Sequence, residues 1–262
     1  EEYEDFLRMY YNDIVKPGYN EHLTEKQRDT CGPIVIDLDF RYDYSIKTRQ
    51  HNTEIIHTLV LAYLDELSKM FQFNSEQEIM VYIQEKPNVN CIQDKQVTKD
   101  GVHILFGIQA DRIQQSILRD NIIKVAPDIL NSLPLTNTME DVFDKGISEG
   151  YVNWQLFGSC KPDHGVYGLT HVYKFEYDPD DGEFIETKEN HKKFDWANNF
   201  NKLSVRYTGN ASFFMRTDFI TEYEKVKQDG GGKRSKMKRT VSKSVIELRS
   251  ISDITDALEQ YK

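Results

Sequence analysis

Two aspartates lie within a short apolar stretch of the sequence. Residues 34–40 read Ile-Val-Ile-Asp-Leu-Asp-Phe, which places carboxylates at Asp37 and Asp39. This β-branched run predicts a strand, and alternate side chains of a strand share a face, so the two carboxylates lie side by side while Leu38 faces the opposite core. Two carboxylates on one face can share a divalent metal ion. The alternative is an ordinary surface pair of Asp39 with Arg41 at the end of the strand.

A second group of polar residues begins a later apolar segment. Lys99, Gly101 and His103 occupy alternate positions, so they lie along one face of a predicted strand, while the residues between and after them supply core contacts. Lysine and histidine give charge-assisted hydrogen bonds to phosphate oxygens, and glycine lets a phosphate approach the backbone closely. The alternative is a turn glycine followed by a half-buried strand histidine.

A third group combines a carboxylate with a possible phosphate-binding pair. Asp144 precedes a predicted strand over residues 153–157, which leads into Gly158-Ser159-Cys160-Lys161. Asp144 can supply a third carboxylate to complete a metal site, and the Ser159 hydroxyl and the Lys161 ammonium resemble a phosphate-binding pair. By itself, the pattern Gly-Ser-x-Lys is too common to define a site.

Composition and cysteine usage narrow the class of protein. A chain of 262 residues with 39% hydrophobic and 12% aromatic residues can bury a large core. No apolar run approaches 18 residues, so we expect no membrane span. The three cysteines are odd in number and lack metal-binding spacing, which indicates a reducing compartment and no structural zinc. The sequence starts at Glu1 without a leader pattern, and we expect it to be part of a longer protein.

Charge is unevenly distributed along the chain. The formal net charge is −10, yet the stretch over residues 233–243 is rich in lysine and arginine and contains no acid. Three glycines precede this stretch, and apolar residues at helical spacing follow it. We therefore predict a catalytic domain over residues 1–228, a flexible basic linker over 229–243 and an amphipathic helix over 244–262. The basic stretch is suited to a phosphate backbone, although a solvated linker is the alternative.

The periodicity of apolar residues predicts an α+β fold. Predicted helices cover residues 3–14, 53–71 and 111–125. Predicted strands cover residues 34–40, 79–83, 102–106, 153–157, 171–177 and 203–207. Strands and helices alternate in the first half, which is typical of α/β structure, whereas short strands separated by polar loops indicate antiparallel β structure after residue 141.

Taken together and in order, the three polar groups resemble the archaeo-eukaryotic primase superfamily. The resemblance is strongest to the primase domains of primase-helicases from nucleocytoplasmic large DNA viruses and to the related eukaryotic primase-polymerases. Asp37-Leu38-Asp39 is similar to the family's acidic strand motif, Lys99-Asp100-Gly101-Val102-His103 to its K-x-[SG]-x-H motif, and Asp144 with Ser159-Cys160-Lys161 to its third acid and serine-lysine pair. The resemblance covers roughly residues 30–175 and implies a primase-like catalytic core with an α/β N-terminal part and an RRM-like, mainly antiparallel β part.

The resemblance also implies a chemistry and a set of site residues. Family members transfer nucleotides with two Mg²⁺ or Mn²⁺ ions held by carboxylates, here Asp37, Asp39 and Asp144. The residues implied to hold the incoming nucleoside triphosphate are Lys99, Gly101, His103, Ser159 and Lys161.

Two departures from the family pattern concern the template and a hydroxyl donor. Relatives usually carry arginines between the third acid and the Ser-x-Lys pair, where this chain has Val152 and Gln155, and Gly101 stands where some relatives have serine. Candidate contacts to a single-stranded DNA template are Arg41, Arg49, Lys233, Arg234, Lys236, Lys238 and Arg239. Aromatic residues near the third motif (Trp154, Phe157 and Tyr167) can stack on bases, although aromatic strand residues are more often core.

Three functions of different classes fit these motifs. The favoured function is a template-directed DNA primase with nucleoside triphosphates as substrates, at an intracellular site of DNA replication, either a viral factory in the host cytoplasm or the nucleus. The alternatives are a two-metal nuclease or phosphotransferase and a catalytically silent nucleic-acid-binding module. No P-loop motif occurs in the sequence, so a helicase motor is expected in a C-terminal region outside it.

Overall fold

The computed structural model describes residues 2–74, 77–162 and 164–230. The helices in this part of the chain are α1 (Glu2–Tyr10), α2 (Thr53–Met70), α3 (Arg112–Leu130), α4 (Met139–Val142), α5 (Lys145–Ser148), α6 (Trp196–Asn199) and α7 (Thr217–Gln228). The strands are β1 (Thr24–Glu25), β2 (Cys31–Asp43), β3 (Phe71–Gln72), β4 (Glu78–Glu85), β5 (Asn90–Ile92), β6 (Val97–Asp111), β7 (Trp154–Gln155), β8 (Gly168–Asp178), β9 (Glu183–Glu189) and β10 (Phe214–Met215).

Two predictions fall outside the described residues. They are the basic residues Lys233, Arg234, Lys236, Lys238 and Arg239, and the amphipathic helix over 244–262.

One antiparallel sheet forms the centre of the described structure. Its strand order is β2-β6-β4-β8-β9, with β5 paired to β6. Helix α2 connects β2 to β4, and β6 lies between these two strands, which is the split β-α-β arrangement of ferredoxin-like folds. The predicted α+β class is confirmed. The alternation of strands and helices in the first half nevertheless gives antiparallel neighbours, because β6 inserts between β2 and β4.

The two long helices cover one face of this sheet. The Asn52 side chain caps α2 by accepting a hydrogen bond from the N–H of Ile55, and Asp111 and Gln114 form a reciprocal capping box at the start of α3. Apolar residues of both helices pack on alternate residues of the central strands, including Leu38 of β2 and Ile104 of β6. This core lies on the face opposite Asp37 and Asp39.

The other face of the sheet is apolar only over part of its length. Val35 of β2 and Leu105 of β6 join a second core that also contains Tyr82 and Trp154 and is covered by α1. Further along each strand, the same face carries polar residues, which are Asp37, Asp39 and Arg41 on β2 and His103, Gly101 and Lys99 on β6. The polar region of this face therefore begins where the second core ends.

The predicted strand over residues 203–207 is wrong. Residues Phe200–Leu203 form a 3₁₀ turn, and Leu203 and Val205 are buried in the second core. The buried Glu25 carboxylate accepts hydrogen bonds from the Ser204 hydroxyl and from the N–H of Val205. Leu203, Ser204 and Val205 are thus consecutive buried residues of a loop, and the Glu25 side chain satisfies polar groups of this loop.

The strands predicted over 34–40, 79–83, 102–106 and 171–177 are confirmed and extend further than predicted. Among the described residues, no helix has the length and apolar character that crossing a membrane requires.

Leu38 provides a direct test of the strand that carries the acids. It is fully buried between Asp37 and Asp39, whereas Leu61 on α2 is 41% exposed. We expect Leu38→Ala to lower the free energy of unfolding by about 2–5 kcal/mol, because it removes buried methyl groups and leaves a cavity. Leu61→Ala is the matched control and is expected to lower it by less than about 1 kcal/mol. Urea denaturation measures both values, and equal losses would contradict the assignment of faces.

Candidate active site

The antiparallel register between β2 and β6 brings the first two motifs face to face. Asp37 lies opposite His103, Asp39 opposite Gly101, and Arg41 opposite Lys99. The His103 Nε2 atom is 3.5 Å from Asp37 Oδ1, and the Lys99 Nζ atom is 2.9 Å from Asp39 Oδ2. One row of carboxylates therefore borders one row of hydrogen-bond donors.

The third acid joins this row through a backbone contact. Phe143 forms an isolated β-bridge with Leu38, and the N–H of Asp144 donates to the Asp37 carbonyl oxygen at 3.1 Å. Arg119, almost fully buried on α3, fixes this segment by donating to the carbonyl oxygens of Phe143 at 2.9 Å and Glu140 at 3.0 Å. The backbone contact thus places Asp144 beside Asp37 in the acidic row.

The three carboxylates do not converge on one point in this structure. Asp39 accepts hydrogen bonds from Arg41 and Lys99, both at 2.9 Å, and Asp144 Oδ1 accepts one from the N–H of Gly146 at 2.7 Å. Consistent with these contacts, the described part of the chain contains no three His, Cys, Asp or Glu side chains close enough together to hold a metal ion. Both cationic partners of Asp39 bind the same carboxylate oxygen, Oδ2.

The electrostatics of Asp37 fit a divalent cation at this position. Burial, together with the negative charges of Asp144 and Asp39, raises the pKa of Asp37 to about 7, against the opposing effect of Lys161 and Lys86. Repulsion of this kind is relieved when a cation binds between the carboxylates. Because all three donors are hard oxygen atoms, the set suits Mg²⁺ or Mn²⁺.

His103 is held between two aromatic rings. Its ring centroid lies 3.8 Å from that of Tyr167, nearly parallel to it, and 4.2 Å from that of Trp154. Burial, followed by the charges of Lys86 and Lys161, lowers the pKa of His103 to about 3. This lowered pKa favours the neutral form of the His103 imidazole, which can still donate one hydrogen bond.

Lys86 is a site residue that the sequence motifs did not reveal. It follows β4 two positions after Gln84, which pairs with His103, so Lys86 continues along the same face of the sheet. Its charge acts on Asp37 and His103. No signal in the sequence distinguishes this lysine from others, because its place at the site depends on β4 pairing with β6.

The structure separates the predicted serine and lysine of the third motif. The Ser159 side chain is buried, with its hydroxyl 2.7 Å from the Tyr10 hydroxyl and accepting from the N–H of Leu23 at 3.1 Å. The prediction that this hydroxyl contacts a nucleotide is corrected, because it is enclosed behind the loop. Lys161 is exposed, and its charge acts on Asp37, so this residue does lie at the site.

Val152 and Gln155 stand at the positions where relatives usually carry arginines. Val152 is 46% exposed, and the Gln155 side-chain amide donates to the Ser159 carbonyl oxygen at 2.5 Å. Neither residue replaces the positive charge of an arginine. Trp154, Phe157 and Tyr167, which were considered for base stacking, are all buried.

Arg49 is a structural residue in this fold. Its guanidinium group donates two hydrogen bonds to the fully buried Asp100, at 2.8 and 2.9 Å, and a third to the Lys86 carbonyl oxygen at 2.6 Å. The prediction of Arg49 as a template contact is corrected, because both its charge and its donors are occupied. Arg41 lies beside the site but is paired with Asp39.

A buried ionic network links this arginine to β4. Glu85 lies 2.7 Å from His51 Nε2 and 3.3 Å from Arg49. Burial alone would raise the pKa of Glu85, but hydrogen bonds with His51 and Thr170 and the charges of Arg49 and His51 lower it to about 2. The network holds the end of β4, and with it Lys86, against β6.

Fold and site together define an α+β domain in which one face of an antiparallel sheet carries a row of carboxylates beside basic side chains. Residues 1–173 match the family model described as the C962R protein N-terminal AEP domain. The chain therefore belongs to the archaeo-eukaryotic primase family.

A relative in Acanthamoeba polyphaga mimivirus, described as the putative helicase L207/L206, is 31% identical over 172 residues. The aligned region covers 64% of this chain and 17% of that protein. The chain thus spans a small part of the relative's length.

The ionic network predicts a specific pH dependence of stability. Because the pKa of Glu85 is lowered from its ordinary 4.5 to about 2, its ionised form stabilises the folded state above pH 4.5, by about 3 kcal/mol. We expect Glu85→Gln to lose this stability at pH 7, and the difference from the wild type to shrink as the pH falls from 4.5 towards 2.

Chemical denaturation at several pH values measures this difference. Glu183→Gln, at an exposed position of β9, is the matched control and should show almost no loss at any pH. A Glu85→Gln difference that stays constant with pH would exclude the ionic contribution.

Proposed function

We propose that this domain is a template-directed DNA primase that synthesises primers from nucleoside triphosphates on single-stranded DNA by two-metal nucleotidyl transfer. The observation that supports the proposal best is the β2–β6 register, which sets Asp37 and Asp39 opposite His103 and Gly101. Acids that bind metal and donors that bind phosphate are thereby separated by one inter-strand distance. A nucleoside triphosphate with its metal ions requires both at this spacing.

The acids Asp37, Asp39 and Asp144 would hold Mg²⁺ or Mn²⁺. Two such ions, when bound, supply activation of the attacking hydroxyl and neutralisation of the triphosphate charge. Asp39 is the residue whose partners must change, since Lys99 and Arg41 now neutralise it. Release from Asp39 makes both cations available to phosphate oxygens, so binding of metal and binding of triphosphate support each other.

The phosphate-binding groups come from three different segments. Lys99 lies on β6, Lys86 follows β4, and Lys161 lies in the loop before β8. Their convergence concentrates positive charge beside the acids, as the effects of Lys86 and Lys161 on Asp37 indicate. Strong phosphate contacts suit a primase, because it must position nucleotides without a primer duplex.

The two alternative functions use only part of this site. A nuclease has less need for three lysines around a triphosphate position. A silent binding module has no need for carboxylates that repel one another, since such repulsion costs stability unless a cation binds there. The primase proposal uses both features.

We further propose that this domain acts within a longer primase-helicase at an intracellular site of DNA replication, in a viral factory or the nucleus. The mimivirus relative carries the description of a putative helicase, and this chain aligns with 17% of it. A helicase region in the same polypeptide would deliver the single-stranded template to the site.

Replacement of one acid tests the catalytic proposal. We expect Asp37→Asn to reduce metal-dependent primer synthesis on single-stranded DNA by at least about 100-fold, because the metal ligand is lost. Asp43→Asn, at an exposed position on the same strand, should keep wild-type activity. Template binding, measured by fluorescence anisotropy, should be unchanged in both variants.

Other products of the same assay would support the alternatives. Shortening of the template without added nucleotides would identify a nuclease. Template binding with no product from the wild type in Mg²⁺ or Mn²⁺ would support a binding module.

Metal binding can be measured without activity. At ten times its dissociation constant, a bound ion raises the unfolding midpoint by about 3–5 °C in a domain of this size. We expect Mn²⁺ to produce this shift in the wild type and in Asp43→Asn. In Asp37→Asn, we expect most of the shift to be absent. An equal shift in all three proteins would place the metal elsewhere.

A further inference from the structure

The space beside Gly101 is filled by the hydroxyl of Tyr167. A Cβ atom built on Gly101 would overlap the Tyr167 oxygen, whereas the next nearest atom, Cζ of the same ring, lies 3.4 Å away. Gly101 has an ordinary backbone φ, so the requirement here is space and not conformational freedom. The Tyr167 hydroxyl thus takes the position of a side chain on β6, between Lys99 and His103.

Tyr167 is buried, yet its hydroxyl lacks a partner. The residue is 8% exposed, and within residues 2–74, 77–162 and 164–230 no group makes a hydrogen bond with its hydroxyl. The hydroxyl oxygen is not among the fully buried unpartnered atoms of the described residues, so it is accessible although the ring is buried. An accessible hydroxyl without a protein partner can donate its hydrogen bond to a ligand.

The surroundings of Tyr167 define the chemistry of that ligand. The ring stacks on His103, and the Lys86 ammonium lies 5.1 Å from its centroid. Asp39 lies opposite Gly101 across the strands, so the hydroxyl faces the acidic row. A protonated phenol beside Lys86 can donate to an anionic oxygen that this ammonium attracts, without adding a further charge.

We propose that the Tyr167 hydroxyl donates a hydrogen bond to a phosphate oxygen of the incoming nucleoside triphosphate, beside Lys86, and that residue 101 is glycine to make room for it. This inference rests on the proposed function, because it assigns a new contact to the same nucleotide site. It also makes Gly101 and Tyr167 a coupled pair, in which either change alone removes the contact.

Equilibrium binding tests this pair independently of catalysis. The probes are a fluorescent nucleoside triphosphate and inorganic triphosphate, each titrated with Mg²⁺ into the same domain. We expect Tyr167→Phe to weaken binding of both probes about tenfold, the effect of one hydrogen bond to a charged group. Tyr63→Phe, a buried tyrosine that packs on Phe106, is the matched control and should bind like the wild type.

A double variant separates the hydroxyl from the ring. Gly101→Ser alone should weaken binding, because its Cβ overlaps the Tyr167 oxygen. Gly101→Ser combined with Tyr167→Phe removes the overlap and restores a hydroxyl at the same place, so binding should recover to within about threefold of the wild type. If the Tyr167 ring is needed only for stacking on His103, Tyr167→Phe keeps that ring and the binding of the probes should not weaken.

Each opposing result overturns the inference. The inference is wrong if Tyr167→Phe binds the probes like the wild type or if binding does not recover in the double variant. It is also wrong if the wild-type domain binds neither probe. A loss confined to the nucleotide, with inorganic triphosphate unaffected, would place the contact on the sugar or base instead. If the binding results hold but no primer is made, the proposed function fails and this contact stands.

Discussion

The pairing of β2 with β6 is the constraint on which the site depends. This register sets Asp37 opposite His103 and Asp39 opposite Gly101, while Leu38 and Val102 face the large core. A shift of one residue in either strand would turn its polar side chains into that core and its apolar side chains into the site. The free energy of burying the apolar set therefore fixes the position of the polar set.

Charge compensation is the second requirement of this arrangement. Asp39 is neutralised by Lys99 and Arg41, whereas Asp37 is crowded by the other acids, and its pKa is raised to about 7 as a result of burial and this crowding. The site is thus stable in the absence of a cation and becomes more favourable in its presence. Such a balance allows the acidic row to form during folding without a bound cation.

Buried ionic residues behind the site hold its loops in place. Arg119 binds the carbonyl oxygens just before Asp144, and the pair of Arg49 with Asp100 ties the Lys86 backbone to β6. Arg119 is buried and Arg49 is partly exposed, and the donors of both bind fixed protein groups. Removal of either would leave buried carbonyl or carboxylate oxygens unpaired, which is costly in a core.

The sequence by itself determined which residues share a face of a strand. Alternation correctly separated Asp37 and Asp39 from Leu38 on one strand, and His103 from Val102 on the other, because side-chain direction follows from local backbone geometry. Tertiary structure decided the rest: Lys86 and Tyr167 join the site, whereas the hydroxyl of Ser159 is buried against Tyr10 and the guanidinium of Arg49 is paired with Asp100. These outcomes depend on strand pairing and loop packing between distant segments, which no local pattern encodes.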